Sequence, residues 1–385
     1  MLRAPIARTL IVGTLFLSLW VFLAVSPASA ASATTEATGT ERLSLVIKGA
    51  VAKETTFSVA DLKALGTRQI RVKIRDTKGD YQCAWELRGP SLRDVLTPAN
   101  PTKTAEDGFN RTLDLLIAAS GSAKKAAFSY GEIFLNSADD TFVVATDWQF
   151  ILPHKHPALP AGVDGWQACS AKSPEFLQSC VSCHNGTPQP PISAPIGLVL
   201  ASIADRNDSR LVQELKTLEV QQVGSFATPI AGKVEKETMW AETPALKALG
   251  SACKAFSGLL KDPALTNASF EDDSVGLGKG FHGRHKYDGI DLGQLLQKAI
   301  PTADPIRGFL VVTGADGYRS VFSGGELFLG TTPAQILLIN QEDQKPLNKG
   351  QGRYKAFSRD DFFVDRCIRT VGELVWEELD RPAKQ

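Results

Sequence analysis

Two cysteines and a histidine near the middle of the chain have the clearest chemical potential, in the order Cys180-x-x-Cys183-His184. Two thiols three residues apart can each add to one vinyl group of the same porphyrin, and the histidine that follows can ligate its iron. The motif therefore predicts covalent attachment of one haem c. Cys180 and Cys183 would form the thioether links, and His184 would be the proximal iron ligand.

The same residues have two other interpretations. Zinc takes four cysteine and histidine ligands, and Cys169, Cys180 and Cys183 with one histidine would supply such a set. A disulfide between Cys180 and Cys183 is also feasible, but it leaves the adjacent His184 without a role. We therefore favour haem over both zinc and structural thiols, two alternatives that we weigh equally.

A haem held by His184 has a second face, for which the sequence offers two candidate ligands. His154 and His156 lie between two prolines, which limit the freedom of the backbone around them. Either one is a candidate distal ligand, and the alternative is that both are solvated surface residues. Ligation by two histidines implies a lower reduction potential than histidine with methionine and favours an electron carrier. An open sixth position would instead permit catalysis.

The first thirty residues have the layout of a secretory signal peptide. They combine two arginines, an apolar run from Leu10 to Val25, and the small residues Ala28-Ser29-Ala30. We expect cleavage before Ala31, a disordered polar leader over residues 31–41, and a periplasmic location. The chain would be attached to a membrane only if the signal segment stayed uncleaved.

Charge and length restrict the classes of protein. Removing the signal peptide takes away two arginines and leaves 40 basic and 42 acidic side chains. A nucleic-acid partner normally requires a strongly basic face, so none is expected. The remaining 355 residues exceed what one compact core usually holds, and two domains are the first expectation.

Three pairs of segments recur in the same order, which indicates a duplicated domain. The first two pairs join short helices or glycine turns, and the third runs for eighteen residues without a gap. The pairs are Asp61–Gly66 with Ala245–Gly250, Arg88–Leu96 with Asp288–Leu296, and Phe128–Ala145 with Phe322–Ile339. The closing segments Arg210–Leu218 and Phe363–Val371 also correspond. We place the first copy at 42–221 and the second at 222–380.

Each copy is predicted to mix short helices with strands, which is the α+β class. Helical signals include Phe57–Leu65, Asp61–Gly66 and its counterpart Ala245–Gly250, each ended near a glycine. Apolar or alternating strand signals occur at Ile70–Ile74, Leu113–Ile117 and Gly308–Val312.

The two copies differ mainly by an insertion in the first, at residues 148–194. It contains three of the five histidines and three of the six cysteines, including the haem-attachment motif. Long insertions on a packed domain commonly carry function, because surface loops tolerate added length while the scaffold stays fixed. The insertion is therefore predicted to be a haem-bearing loop.

The repeat unit resembles the molybdopterin-binding domain of sulfite oxidase and related oxidoreductases. The resemblance rests on Phe57–Leu65, Arg88–Leu96 and Gly308–Leu327, on the basic closing strands, and covers most of both copies. It implies two tandem domains of that fold. In that family one cysteine ligates molybdenum, while basic and polar groups hold the pterin phosphate.

The sequence departs from that family at the metal ligand. The only candidate in the first copy, Cys83, lies six residues before Gly89, which is closer than the ligating cysteine of the family usually lies. The second copy has no cysteine between Lys254 and Arg366. Because a fold can persist after a site is lost, molybdopterin is not expected here.

Several further residues are predicted to have structural or solvated roles. His282 and His285 are expected at the surface of a turn, and four aspartates are expected to be solvated. Four cysteines outside the motif allow one disulfide in each copy, or buried free thiols. These are the aspartates 205, 208, 360 and 361, and the cysteines 83, 169, 253 and 367.

Together these observations predict a periplasmic monohaem c-type electron-transfer protein on a duplicated scaffold, without molybdenum. Its partner would be another redox protein of the periplasm. Two alternatives are a molybdopterin-dependent oxidoreductase that passes electrons to its own haem, and a binding module without redox chemistry. The metals distinguish them, because these hypotheses require iron alone, iron with molybdenum, and neither metal, respectively.

Overall fold

The computed structural model describes most of the chain between residues 43 and 380, all within one compact unit, Arg42–Gln385. The described residues are 43–75, 81–103, 112–136, 141–150, 195–223, 245–248, 251–252, 256–265, 268–276, 279–331, 335–359 and 361–380. We refer to residues 43–223 as the N-terminal half and to residues 245–380 as the C-terminal half.

Strands dominate the described residues. They are β1 (Ser44–Gly49), β2 (Thr55–Ser58), β3 (Arg68–Arg75), β4 (Tyr81–Gly89), β5 (Leu115–Ser120), β6 (Lys125–Ser129), β7 (Phe142–Ala145), β8 (Asp147–Phe150), β9 (Val199–Ser202), β10 (Thr217–Gln222), β11 (Ala245–Ala248), β12 (Ser251–Ala252), β13 (Ala268–Gly276), β14 (Gly280–Asp291), β15 (Gly308–Gly314), β16 (Arg319–Ser323), β17 (Ile336–Glu342), β18 (Lys345–Pro346), β19 (Lys355–Ser358) and β20 (Val371–Glu378).

Helices are short. They are α1 (Val59–Ala64), α2 (Leu92–Leu96), α3 (Tyr130–Phe134), α4 (Phe256–Leu259) and α5 (Leu292–Ala299), with a π-helical turn at Gly325–Leu329 and 3-10 turns at Thr97–Ala99, Thr112–Asp114 and Val364–Arg366. Within the described ranges, no helix has the length and apolar character needed to span a bilayer.

The predicted α+β class with two sulfite-oxidase-like domains is wrong. Strands make up 50% of the described residues and helices 18%, in small sheets whose arrangement resembles a four-bladed propeller. A glycine turn followed by leucines four apart marks where a helix begins but not how long it runs. In Arg88–Leu96, for example, only the five residues of α2 are α-helical, and Arg88 and Gly89 end strand β4.

The two halves contain five-stranded sheets of the same strand order. The N-terminal sheet runs β2-β1-β10-β5-β6, and the C-terminal sheet runs β12-β11-β20-β15-β16. In each, the first strand of the half pairs in parallel with its last strand, β1 with β10 and β11 with β20. The remaining pairs in both sheets are antiparallel.

The other sheets also correspond between the halves. The N-terminal half has the sheets β3-β4-β8 and β7-β9, and the C-terminal half has β13-β14-β17-β18 with β19 paired to β17. Gly89 is the last residue of β4 that pairs with β3, and Gly289 lies at the equivalent position of β14. A Cβ on Gly89 would lie 2.0 Å from Val144 O, and one on Gly289 would lie 2.4 Å from Leu338 O. Both positions therefore require glycine for the same close backbone approach.

Of the secondary-structure predictions, two strands and one helix are confirmed and one helix is wrong. The strands predicted at Ile70–Ile74 and Gly308–Val312 are confirmed within β3 and β15, and the helix predicted at Phe57–Leu65 is confirmed as α1. This helix begins where Ser58 and Asp61 form a capping box. The helix predicted at Ala245–Gly250 is wrong, because Ala245–Ala248 is the strand β11, paired in parallel with β20.

The alignment of the closing segments is wrong by three residues. Strand β10 begins at Thr217 opposite Val46, and the matching parallel pair in the other half joins Glu373 to Ala245. Three residues before Thr217 and Glu373 lie Glu214 and Thr370, both with positive φ, 49° and 50°. Arg210 therefore corresponds to Arg366, and each follows an aspartate by five residues.

Each half has its own hydrophobic core, and the two five-stranded sheets pack against each other. Leu115 and Ile117 of β5 face the N-terminal core. The intervening Leu116 and Ala118 contact Phe309 and other apolar residues of the C-terminal sheet. Successive side chains of a strand point to opposite faces, so a strand buried on both faces is apolar throughout.

An arginine from the C-terminal half reaches the N-terminal half beside this apolar contact. Arg366 donates from Nε to Asp361 Oδ2 at 2.7 Å and from Nη1 to Ser129 Oγ at 3.1 Å. Its Nη1 also lies 2.8 Å from Glu326 Oε1. The guanidinium carbon lies 4.8 Å from the centre of the Phe322 ring. Arg366 is buried, and Ser129 belongs to the opposite half.

Arg210 makes the same set of contacts in the reverse direction. Its Nη2 donates to Asp205 Oδ1 at 2.7 Å, and its Nη1 donates to Glu132 Oε2 at 3.0 Å and to Ser323 Oγ at 3.0 Å. The guanidinium carbon lies 4.7 Å from the centre of the Phe128 ring. Ser323 belongs to the C-terminal half, so the exchange between halves is reciprocal. We call these two sets of contacts the arginine exchange.

Each arginine passes over a glycine of the other half. A Cβ on Gly131 would lie 2.2 Å from Arg366 Cδ, and one on Gly325 would lie 1.9 Å from Arg210 Cζ. Real side chains do not approach so closely, so both positions must lack a side chain for the arginines to cross. The aspartates 205 and 361, expected to be solvated, are instead buried partners of these arginines, each with 2% of its side chain exposed.

The arginine exchange contains more acidic than basic groups. Two arginines face four carboxylates, which are those of residues 132, 205, 326 and 361. Burial raises the pKa of Glu132 to about 7, with Arg210 opposing and Glu326 adding to the shift. Burial likewise raises the pKa of Asp361 to about 6, although Arg366 opposes it. The cluster therefore takes up protons close to neutral pH.

Replacing Arg366 tests how strongly the exchange stabilises the fold. Arg366→Gln leaves Asp361 and Glu326 buried without their cation, and we expect a loss of about 3–5 kcal/mol in the free energy of unfolding. Urea unfolding followed by tryptophan fluorescence measures it. The control Arg284→Gln removes an exposed pair with Glu271 and should change stability by less than about 1 kcal/mol. Equal effects of the two substitutions would show that the exchange is not important for stability.

The raised pKa of Glu132 predicts a pH dependence. Between its usual value of 4.5 and about 7 the unfolded chain loses this proton while the folded chain keeps it. The stability that this group contributes is therefore at its maximum below pH 4.5, the usual pKa. It falls by up to about 1.4 kcal/mol per pH unit as the pH rises across that window. Above the window the contribution is constant.

Glu132→Gln should remove that slope, because a neutral amide keeps the protonated shape at every pH. Urea midpoints at several pH values between 4.5 and 8 would show a stability difference from the wild type that changes below pH 7 and is flat above it. The exposed Glu54→Gln should show no such change. Parallel curves for wild type and Glu132→Gln would contradict the assignment.

Candidate functional site

The residues predicted to bind haem lie outside the described residues. These are Cys180, Cys183 and His184 of the attachment motif, with the distal candidates His154 and His156. Cys169, which belongs to the alternative zinc set, also lies outside them. All of these assignments stay predictions. The structure does describe the strands that precede and follow the insertion.

The insertion connects two strands, β8 and β9, each of which pairs with a different strand of the N-terminal half. Strand β8 ends at Phe150 and pairs with β4, while β9 begins at Val199 and pairs with β7. In the C-terminal half, the equivalent strands β17 and β19 are joined by residues 343–354 alone. The N-terminal half uses residues 151–198 for the same connection. The extra chain therefore begins and ends at strands that have counterparts in the C-terminal half.

A buried carboxylate fixes the strand from which the insertion leaves. Glu86 of β4 is 3% exposed and accepts hydrogen bonds from Arg71 Nε at 3.1 Å, Arg88 Nη2 at 3.0 Å and Gln149 Nε2 at 2.8 Å. Burial alone would raise its pKa, but these three donors outweigh burial and hold the pKa of Glu86 below its usual range. Because Gln149 belongs to β8, this ionised group links the start of the insertion to β3 and β4.

Two buried polar atoms near the end of β8 have no hydrogen-bond partner among the described residues. They are Trp85 Nε1 and Gln149 Oε1, and Trp85 pairs in register with Phe150, the last residue of β8. A buried polar atom left unpaired costs about 1–3 kcal/mol. The two atoms lie on opposite faces, because Trp85 packs in an apolar cluster while Gln149 bonds Glu86.

Sequence reasoning missed the residues of this strand pair. The signal was the alternation Trp85-Glu86-Leu87-Arg88, which places the two charged residues on one face of β4 and the two apolar residues on the other. The structure buries Trp85 and Leu87 in a separate apolar cluster under the sheet. A carboxylate and an arginine two residues apart in a strand lie on one face and are close enough to pair.

The candidate molybdenum ligand Cys83 lies on β4, where its main chain pairs with Ile74. The placement of its side chain is outside what the structure describes, so that prediction is untested. In the part of the chain that is described, no three side chains among histidine, cysteine, aspartate and glutamate are grouped to hold a metal ion.

Of the remaining cysteines, Cys367 is described and is a free thiol. Burial raises the pKa of this thiol, with the nearby Lys355 opposing. At neutral pH the group is therefore protonated and a poor nucleophile. Cys253 lies outside the described residues, as does Cys169.

The predicted turn containing His282 and His285 is wrong, because both residues lie on strand β14. His282 is exposed, as expected. His285 is half-buried, with Nδ1 at 2.9 Å from Asp343 Oδ2 and 3.6 Å from Glu342 Oε1. The hydrogen bond to Asp343 raises the pKa of His285, while burial opposes this. Polar groups of the C-terminal half thus gather on β14, beside strand β17.

Comparisons with known proteins add little. No family model matches this chain, and no curated protein matches it. Among solved structures, it is similar to the sulfane dehydrogenase SoxCD from Paracoccus pantotrophus, with a TM-score of 0.29 and 9% sequence identity. That match covers 88% of this chain and 77% of that chain. A TM-score this low supports no argument about fold or function, so the functional argument depends on this chain's own residues.

Proposed function

We propose that this chain is an exported monohaem c-type electron-transfer protein whose haem is carried by the insertion. The observation that supports this most strongly is the motif Cys180-x-x-Cys183-His184. Its residue types fit the group: two thiols at the spacing of two porphyrin vinyl groups, followed by an imidazole. When bound, a haem held in this way supplies a reversible one-electron change at its iron.

The described structure supports this proposal through the place where the insertion begins. The hydrogen bonds of Glu86 hold the first strand of the insertion, β8, against β4. Gln149 Oε1 of this strand lies buried without a partner in the described part of the chain. A strand fixed in this way suits a loop that must hold a cofactor, because a fixed surrounding lowers the reorganisation on electron transfer.

The layout of residues 1–30 as a signal peptide agrees with covalent haem attachment, which takes place outside the cytoplasm. The same compartment would supply the redox partner protein. The weak likeness to a sulfane dehydrogenase is compatible with a redox role. We propose no molybdenum site, because Cys83 is the sole candidate ligand in the first copy and lies close to Gly89 in sequence.

Attachment is tested by expressing the full precursor with haem-maturation machinery and purifying the exported protein. We expect one covalent haem per chain, with the pyridine haemochrome spectrum of two thioether links. Cys180→Ala and Cys183→Ala should each shift the spectrum to that of a single link, and the double variant should carry no covalent haem. Iron and molybdenum are measured on the same samples, with iron alone expected.

Cys169→Ala is the matched control, because it removes a cysteine of the same insertion outside the motif. It should keep the wild-type spectrum. Protein that contains zinc without porphyrin, and loses that zinc in Cys169→Ala, would establish the zinc alternative and overturn the proposal. Molybdenum together with iron would favour the oxidoreductase alternative.

The distal ligand is tested with His154→Ala and His156→Ala. We expect one of them to convert the iron from low spin to high spin, because loss of a strong axial nitrogen ligand weakens the ligand field. Absorption and electron paramagnetic resonance spectra give the spin state. His282→Ala, a change at an exposed histidine of β14, is the control. If neither insertion variant changes the spin state, the distal ligand is not one of these histidines.

A further inference from the structure

The C-terminal half contains a polar cleft of about 580 Å³ beside strand β14. We call it the β14 cleft. Its walls come from β13, β14, β17 and β19 and from the segment around the 3-10 turn Val364–Arg366. The lining residues used below are His285, Tyr287, Glu342, Lys355, Cys367 and Arg369.

The same positions of the N-terminal half are apolar. His285 and Tyr287 lie four and two residues before Gly289, as Trp85 and Leu87 lie before the equivalent Gly89. Trp85 and Leu87 are buried in an apolar cluster. The scaffold thus folds with a tryptophan and a leucine where the C-terminal half has an imidazole and a phenol.

Two further positions follow the same rule. Lys355 pairs with Ile339 in the ladder between β17 and β19, and Val199 pairs with Ala145 in the equivalent ladder. Cys367 precedes Ile368, whose bridge to Ala356 matches the bridge of Val212 to Leu200. Cys367 therefore corresponds to Leu211. Both Val199 and Leu211 belong to the apolar cluster of the N-terminal half.

A buried ammonium group is unfavourable unless it is compensated, so folding alone does not explain a lysine at this place. Lys355 has 6% of its side chain exposed and donates to Glu342 Oε2 at 2.9 Å. Its Nζ also lies 4.7 Å from the centre of the Tyr287 ring. Glu342 is its one hydrogen-bond acceptor in the described residues. An ammonium has three N–H donors, so two remain to be satisfied.

The rim of the cleft adds positive charge. Arg369 is exposed and forms no ion pair with any described residue. The acidic groups nearest to the buried lysine already have partners. Glu342 accepts from Lys355 and from Gln351 Nε2 at 2.7 Å, and Asp343 faces His285. Lys355 and Arg369 thus keep hydrogen-bond donors that no described residue uses.

Two more carboxylates line the same cleft, at Asp316 and Asp365. Asp316 Oδ1 accepts from the main-chain N–H of Tyr318 at 3.0 Å, and Tyr318 donates its hydroxyl to Asp365 O at 2.9 Å. The main chain of Arg369 lies at the same hairpin between β15 and β16, since a Cβ on Gly314 would lie 2.6 Å from Arg369 O and 2.8 Å from Asp316 Oδ1. The cleft therefore has carboxylates as well as the two cations in its walls.

We propose that the β14 cleft binds a small molecule bearing an oxyanion group, a carboxylate or sulfate-like group, with Lys355 and Arg369 as its donors. Lys355 would provide a buried ammonium at the inner wall, and Arg369 a guanidinium at the mouth, and both can form charge-assisted hydrogen bonds to an oxyanion. All lining residues of this cleft belong to the C-terminal half, and the proposal does not depend on haem attachment.

Isothermal titration of the purified exported protein with sodium sulfate and with sodium succinate, at constant ionic strength set by chloride, tests the proposal. The two probes separate a tetrahedral from a carboxylate preference. We expect saturable binding of at least one of them. Arg369→Gln should weaken it about tenfold or more, because a charge-assisted hydrogen bond contributes about 1.5–3 kcal/mol. Lys355→Gln should weaken it at least as much.

Arg284→Gln is the matched control, since Arg284 is an exposed arginine of strand β14 whose side chain forms an ion pair with Glu271. Its affinity should stay within about twofold of the wild type. Absence of binding with both probes, or equal binding by wild type and Arg369→Gln, would overturn the proposal. Arg369 is exposed, so this variant decides the question even if Lys355→Gln does not fold. The titration detects anion binding whether or not the protein carries haem. A negative result would therefore overturn the cleft proposal without bearing on haem attachment.

Discussion

The reciprocal exchange of two buried arginines between the halves is the constraint on which the rest of the structure depends. Arg366 and Arg210 each enter the opposite half, and each needs a glycine beneath it. A buried guanidinium requires hydrogen-bond acceptors and compensating charge in fixed positions. Apolar residues of the two five-stranded sheets form a cluster between the halves. The arginines specify how the two sheets must be aligned when they pack.

Part of this arrangement could be predicted from the sequence. The ungapped match of Phe128–Ala145 with Phe322–Ile339 identifies equivalent segments, since both contain a strand, a helical turn and a second strand. The fold class could not be predicted, because short apolar runs and glycine turns do not determine helix length. Ala245–Gly250 reads as helical by composition, but parallel pairing with β20 makes its first four residues a strand. Long-range pairing overrode the local preference.

The sites differ in how much of each could be predicted from the sequence. The proposed haem-attachment motif is local, so spacing alone is enough to predict its residues. The arginine exchange and the β14 cleft are not local: Arg366 and Ser129, or Tyr287 and Lys355, are brought together only by folding. The comparison of the halves makes these residues recognisable. Where one half buries Val199 and the other Lys355, the scaffold is the same and the difference requires another explanation, which we assign to ligand binding.

The central claim is that an otherwise duplicated β scaffold carries a haem on the insertion of its first half. Intact-mass spectrometry of the exported protein under denaturing conditions tests it most directly, because only covalently attached haem survives unfolding. The account predicts a polypeptide that begins at Ala31 and is heavier by one haem, with the added mass absent when both Cys180 and Cys183 are replaced by alanine. A mature chain of unmodified polypeptide mass, produced with active haem-maturation machinery, would contradict it.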